Sequence, residues 1–501
     1  DGMNRKLSVN LDEYLNMSWY PQDEIDVEFV DGYFLNDEPA FKIKLRKRGE
    51  AHTREVSIRH GPQGSYLVAS SLPSNDYFIF VPKQPRHYQN VGWEDLKQAS
   101  RFHDENIMKF PLDTNRLENL SRHVPTDQIE LLAQNVTIFM HSQTYRLIFD
   151  FFAHKKANGS SVEKSVYQGM SVTDFIDRLI RNRPHCFFGS NDVTMLAGEN
   201  RKQSMHREWK KVGTEEESGA LRLANYLSYE EMELSALIAV SSGSLFINSG
   251  GRFNRGRFTF HNPAVGIFIG AVGPRFDNDD LMESKYMLDT GNRQGILAAD
   301  DYMKKLWMDY YDQTEDTWTK NDEFQGSLHV PSYRIRLQRI LQPILLHANW
   351  LADQAQKAGV LRLVGFGLGV WVISGAPQVE LYVEEVKKLI RLTHLPNIKS
   401  IELIWVLPES SAPEIITSLY GQNITFQAHR SDPTIPVEDE ERELLIATYA
   451  WDGNSMPGNE YWANYLDSSG DPAAACCSTI QELQNPLINP CLNSSNALAV
   501  Y

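Results

Sequence analysis

From Leu237 onward, short apolar runs alternate with stretches of helical periodicity, and this alternation constrains the fold more than any other feature. Leu237 to Phe246, Val265 to Val272, Val360 to Val364, Ile401 to Leu407, Ile424 to Ala428 and Leu444 to Thr448 read as strands. Tyr333 to Ala358, Val379 to Leu392 and Ala412 to Tyr420 read as helices, the first with Gly359 as its C-cap. Parallel strands need a crossover, and a helix usually fills it. The pattern predicts a three-layer α/β/α domain around a mainly parallel sheet.

The chain of 501 residues is too long for one core, so two or three domains are expected. Residues 1–90 read as a β-rich domain. Ile25, Val27 and Phe29 alternate with acids, and Phe41, Ile43 and Leu45 alternate with bases. Val56 to Ile58, Tyr66 to Val68 and Tyr77 to Val81 add strands, with a turn at Pro73 to Asp76. Residues 91–160 read as helical, ending in a polar linker at His154 to Ser161. Residues 161–501 form the α/β domain.

The net charge of −16 argues against nucleic acid and anionic membranes as partners. An anionic ligand would have to be held mostly by backbone N–H groups. Four cysteines make no disulfide framework and point to a reducing, cytoplasmic setting. No Cys-x-x-Cys or His-Glu-x-x-His spacing occurs, so no metal is expected. No apolar run reaches membrane-spanning length, and no secretory signal is expected at the start.

The segment Tyr449 to Asp471 follows the last strand candidate and carries Asp452, Glu460, Asp467 and Asp471. Acid-rich loops leaving buried strands are where α/β folds place chemistry. Cleavage at an anomeric carbon passes through an oxocarbenium-like state. Carboxylates stabilise that cation, activate water and protonate the leaving group. The plainer reading is a solvated acidic loop. Trp451, Tyr461 and Trp462 argue for a packed, shaped site instead. Asp471 before Pro472 also reads as a helix cap.

Gly365-Phe366-Gly367-Leu368-Gly369-Val370-Trp371 follows another strand. Alternate glycines let backbone N–H groups converge on a pyrophosphate. Close strand–helix packing is the competing explanation. The loop from Asn248 to Arg257 has three arginines that suit a phosphate clamp, or an exposed hairpin. His185 and Cys186 suggest a thiol nucleophile, but neighbours on a strand point to opposite faces.

These motifs together resemble the MavL-like proteins, atypical macrodomains of Legionella effectors and some eukaryotes. The matching stretches are Asn225 to Ile238 with Phe246-Ile247-Asn248, Val272 to Phe276 with Leu281-Met282-Glu283, and Gly365 to Trp371. Ala450 to Trp462 and Ser469 to Ser478 complete the set, so the resemblance spans roughly residues 165–495. It implies a macrodomain-like fold that binds ADP-ribose and hydrolyses it from a protein side chain. In the effector the modified group is an arginine of ubiquitin. Ubiquitin or a ubiquitin-conjugating enzyme is therefore an implied partner, in the host cytosol for an effector. No cofactor is implied, ADP-ribose being ligand and product. The implied catalytic set is Asp452, Glu460 and Asp471. Gly365, Gly367, Leu368, Gly369, Val370 and Trp371 would wrap the diphosphate, with Asn248, Asp192 and Asn454 as further ligand contacts. The rivals are an ADP-ribose reader without turnover, a hydrolase of other glycosides and a Cys–His hydrolase.

Overall fold

The computed structural model describes strands within residues 25–69, and residues 91–501 apart from 200, 277–281, 290, 292–295 and 297–300. Two compact units divide the chain, Asp1–His87 with Ala499–Tyr501, and Tyr88–Leu498. In the first unit β1 (Ile25–Leu35), β2 (Glu38–Lys47), β3 (Arg54–Gly61) and β4 (Gly64–Ala69) pair in sequence order, all antiparallel. This is the sheet that the alternation predicts. The strand expected at Tyr77 to Val81 and its preceding turn lie outside the described residues.

The second unit contains β5 (Val136–Met140), β6 (Cys186–Phe188), β7 (Val193–Met195), β8 (Gln203–Ser204), β9 (Ala239–Phe246) and β10 (Ala264–Ala271). It continues with β11 (Phe324–Gln325), β12 (Leu328–His329), β13 (Ala358–Val364), β14 (Ile398–Ile404), β15 (Glu414–Thr417), β16 (Asn423–His429) and β17 (Glu443–Ala450). The main sheet runs β15-β16-β14-β13-β17-β10-β9-β5. From β16 to β10 every neighbouring pair is parallel; β15 and β9 flank this block antiparallel, and β5 pairs antiparallel with β9. Strands β6–β8 form a separate small sheet.

Helices cover both faces. On β9, Ser241 Oγ meets His347 Nε2 at 2.7 Å, from the helix α2 (Val330–Ala355). The next residue, Ser242, accepts from Gln484 Nε2 at 3.1 Å. Consecutive strand residues point to opposite faces, so these partners lie on opposite sides of the sheet. The central strands are apolar nearly throughout, as a doubly covered parallel sheet requires.

Four sequence expectations change. Ala412 to Tyr420 is not a helix: β-branched Ile415, Ile416 and Thr417 form β15, which turns back at Gly421 onto β16. Helix α2 ends at Gln356 in the left-handed region, and Gly359 lies inside β13, where a Cβ would stand 2.8 Å from Ile398. The helical region 91–160 also contributes β5, whose five residues are all buried and so show no alternation. The polar stretch 154–161 is the last turn of a helix, α1 (Ser142–Asn158), and the cap of the next, where Ser160 Oγ accepts from Glu163 N–H. The expected break near 160 therefore falls inside the second unit. Among the described residues, no helix is long and apolar enough to cross a membrane.

The chain order positions the site. After β10, α2 carries the chain past one strand position to β13, and α3 (Gln378–Leu392) leads outward to β14. Strand β17 returns last and fills the gap between β13 and β10. The carboxyl ends of β10, β17 and β13 thus lie side by side at a reversal of strand order, where open α/β sheets bind ligands.

Candidate active site

Three loops leave these strand ends: 272–276 after β10, 365–371 after β13 and 451–462 after β17. The first two touch backbone to backbone. A Cβ on Gly273 would stand 2.3 Å from the carbonyl carbon of Phe366, and one on Gly367 would stand 2.5 Å from Pro274 O. Gly367 also has φ +76°, which side chains rarely adopt. Two buried arginines tie the frame. Arg275 donates to Asp452 O and Met232 O, both at 3.0 Å, and faces Glu283. Arg336 donates to Val272 O at 2.9 Å, Ala236 O at 3.1 Å and Gly273 O at 3.2 Å.

Asp452, Glu460 and Asp471 converge, with one carboxylate oxygen from each lying within 4.8 Å of the others. That is close enough for the three charges to interact strongly. Asp452 lies two residues past the end of β17, and Glu460 lies in a 3₁₀ turn, Asn459–Ala463. Asp471 lies in the first turn of α4 (Gly470–Cys477), whose N-cap is Ser469. The cap reading of Asp471 fails: its Oδ1 accepts from Gly458 N–H at 2.9 Å, across to the neighbouring loop. Asp471 is only 4% exposed, and among the described residues its Oδ2 and Glu460 Oε2 are buried with no hydrogen-bond partner. Among the described residues neither Glu460 nor Asp471 forms a salt bridge.

Burial, and then the charge of Asp452, push Glu460 up to about 7. Burial, and then Asp452 and Glu460, push Asp471 well above the carboxylate range. Three acids this close cannot all ionise cheaply, so the cluster carries a proton at neutral pH. A carboxylate beside a protonated carboxyl is the pairing that glycoside cleavage needs.

The glycine loop turns at Leu368, whose N–H reaches Gly365 O at 3.1 Å. Phe366 is buried beneath it, while Val370 is 84% exposed. Among the described residues, the N–H groups of Gly367, Gly369, Val370 and Trp371 have no acceptor. Gln378 at the start of α3 anchors the far side, donating to Trp371 O and accepting from Ile373 N–H. This loop can receive an anion on backbone alone.

The other expected residues are placed as follows. Asn454 is 2% exposed, in the same loop as Asp452, and its Oδ1 has no partner among the described residues. Asp192 is fully buried and accepts from Tyr229 Oη and from His206 Nδ1, the latter at 2.7 Å. Its carboxylate is thus occupied within the protein. Asn248 is not brought to the acids. Strand β9 is antiparallel to β10, so its end lies at the opposite edge of the sheet, beside the start of β10. There Asn248 organises its own loop through Arg257 O, Gly250 N–H and Asn254. The arginine clamp is likewise spent: Arg252 donates to Asp467 O and Ser468 O, and Arg255 pairs with the Asp467 carboxylate. His185 turns to His103, Nε2 to Nε2 at 2.8 Å, and Cys186 is buried with its thiol pushed up to about 12. No thiolate nucleophile stands here.

Sequence reasoning missed Asn459, whose Nδ2 donates to Asp452 Oδ2. It missed Arg183, stacked 4.2 Å over Trp451 and bonded to Ser235, which holds Gly453 O. The Gly458-Asn459 pair was a readable signal, since both residues tolerate the left-handed conformation they adopt here.

The family model of MavL-like ADP-ribosylhydrolases matches residues 96–501. Two Drosophila melanogaster proteins are similar. ADP-ribosylarginine hydrolase CG3568 is 30% identical over 79% of this chain and 83% of its own length. ADP-ribosylarginine hydrolase CG2909 is 31% identical over 79% of this chain and 85% of its own. The converged acids, the open glycine loop and a family match spanning nearly the whole second unit agree: this chain belongs to the MavL-like ADP-ribosylhydrolase family.

Proposed function

We propose that this protein hydrolyses the N-glycosidic bond between ADP-ribose and a protein arginine. The observation that carries the reading is the cluster of Asp452, Glu460 and Asp471 beside the open 365–371 loop, at the reversal of strand order. The names of both relatives support arginine as the modified side chain.

The diphosphate rests on the N–H groups of Gly367 to Trp371, and the distal ribose enters the acid cluster. As the bond from the anomeric carbon to nitrogen breaks, its electron pair stays on the guanidino nitrogen. That nitrogen takes the proton carried by Glu460 or Asp471. Charge develops on the ribose and is stabilised by ionised Asp452. Water adds to the anomeric carbon and its proton passes to Asp452. The products are free ADP-ribose and unmodified arginine. For the carrier we favour ubiquitin or a ubiquitin-conjugating enzyme, on the motif resemblance. Four buried free cysteines support a reducing, cytoplasmic setting.

The test is release of ADP-ribose from an ADP-ribosyl-arginine protein by wild type, Asp452→Ala and Glu460→Ala. We expect each variant to lose about 10²–10⁴ in rate. Tight ADP-ribose binding without turnover in wild type would convert the enzyme into a reader. Equal rates on ADP-ribosyl ubiquitin and an unrelated ADP-ribosylated protein would remove the ubiquitin preference.

A further inference from the structure

Asn459 is fully buried and stands at φ +33° between Gly458 and Glu460. Every hydrogen-bonding edge of its amide is engaged. Its Oδ1 accepts from Phe187 N–H at 2.8 Å, and its Nδ2 donates to Phe187 O at 3.1 Å. This pair of hydrogen bonds to one backbone residue fastens the acidic loop to β6. It also settles which way the amide faces, because Phe187 N–H must meet the oxygen. The remaining Nδ2 hydrogen therefore points at Asp452 Oδ2. An amide nitrogen only donates, so the oxygen it meets must accept.

Around Asp452 stand the carboxyl groups of Glu460 and Asp471, and Arg275 donates to its backbone carbonyl. Tyr449 bears on Asp471, and Cys186 on Glu460. Within such a cluster, a fixed donor on one member decides where the negative charge sits. We propose that Asn459 is a positioning residue that keeps Asp452 the ionised acid and so leaves the proton to Glu460 or Asp471. The proposal rests on the arginine-hydrolase reading above for its consequence in turnover.

The experiment uses the full chain with ADP-ribosyl-arginine protein as substrate and free ADP-ribose as binding probe. Asn459→Gly keeps the left-handed backbone and removes the donor. Asn459→Asp keeps the size and the acceptor for Phe187. In both we expect the acid limb of kcat/KM to move up by about one pH unit or more, because Asp452 then protonates more readily. Turnover at pH values below the wild-type acid limb should fall about tenfold while the Kd for ADP-ribose changes little. An unmoved acid limb, with lowered rate alone, would make Asn459 merely structural and overturn the proposal. Carboxyl ¹³C titration of wild type covers the case in which both variants misfold. Asp452 ionising below Glu460 supports the role, and Asp452 protonated at pH 7 overturns it. This titration needs no substrate, so absent turnover with Asp452 ionised would sink the arginine reading while leaving Asn459 in its place.

Discussion

Glu460→Gln should make this protein more stable and less active at once. The folded state lifts Glu460 from the ordinary 4.5 to about 7, chiefly by burial and then by the charge of Asp452. At ~1.4 kcal/mol per pH unit, the lift corresponds to about 3 kcal/mol of strain whenever Glu460 is ionised. A raised carboxylate means the folded state binds the proton more tightly than the unfolded one. Its contribution is fully favourable below about 4.5 and is lost as pH rises through about 7. Glutamine keeps the shape and never ionises. In urea unfolding, the variant should match wild type near pH 4.5 and exceed it by up to about 3 kcal/mol near pH 8.5. Part of that gain is shared with Asp471, whose carboxyl competes for the same proton. ADP-ribose release should fall by about 10²-fold or more, because the leaving guanidine loses its proton donor. A stability difference that does not grow with pH would refute the electrostatic account. A fully active Gln variant would remove Glu460 from the chemistry.

Other consequences are as concrete. Wild-type kcat/KM should decline as pH rises through about 7, where Glu460 gives up its proton, and a pH–rate profile reads this directly. Arg275→Met leaves Asp452 O, Met232 O and the Glu283 carboxylate without their buried partner, so chemical unfolding should show a loss of about 3–5 kcal/mol. Gly367→Ala drives a Cβ against Pro274 O at a left-handed position. We expect at least about 1–2 kcal/mol of destabilisation by thermal unfolding, together with weaker ADP-ribose binding by calorimetry. Cys186→Ala should leave turnover at the wild-type level, since the thiol is buried and protonated; a large loss would reopen thiol chemistry.

The sheet was legible because its strands bury both faces and announce themselves as apolar runs. Where the residue types were ambiguous, reading failed. Ile415, Ile416 and Thr417 fit one turn of a helix as well as a strand, and only pairing with β16 decides between them. Val136 to Met140 show no alternation, and nothing local marks them as a strand that joins β9. Within the site, Asp452, Glu460 and Asp471 could be singled out by charge and company. The turn at Gly458-Asn459 could be read as well, but the role of Asn459 could not, because it is a contact with Phe187, 272 residues earlier.

The sequence by itself determined that an acidic, glycine-bearing segment would leave a buried strand, and that a second glycine loop would leave another. Period and composition are local quantities, and they fix such statements. The tertiary structure alone decided which acids meet. Inserting β17 between β13 and β10 puts the two loops side by side, and the left-handed turn at Gly458 and Asn459 aims Glu460 and Asp471 at Asp452. It also placed Asn248 away from the three acids, because the direction of β9 in the sheet carries a strand end to one edge or the other, and no local pattern records that direction.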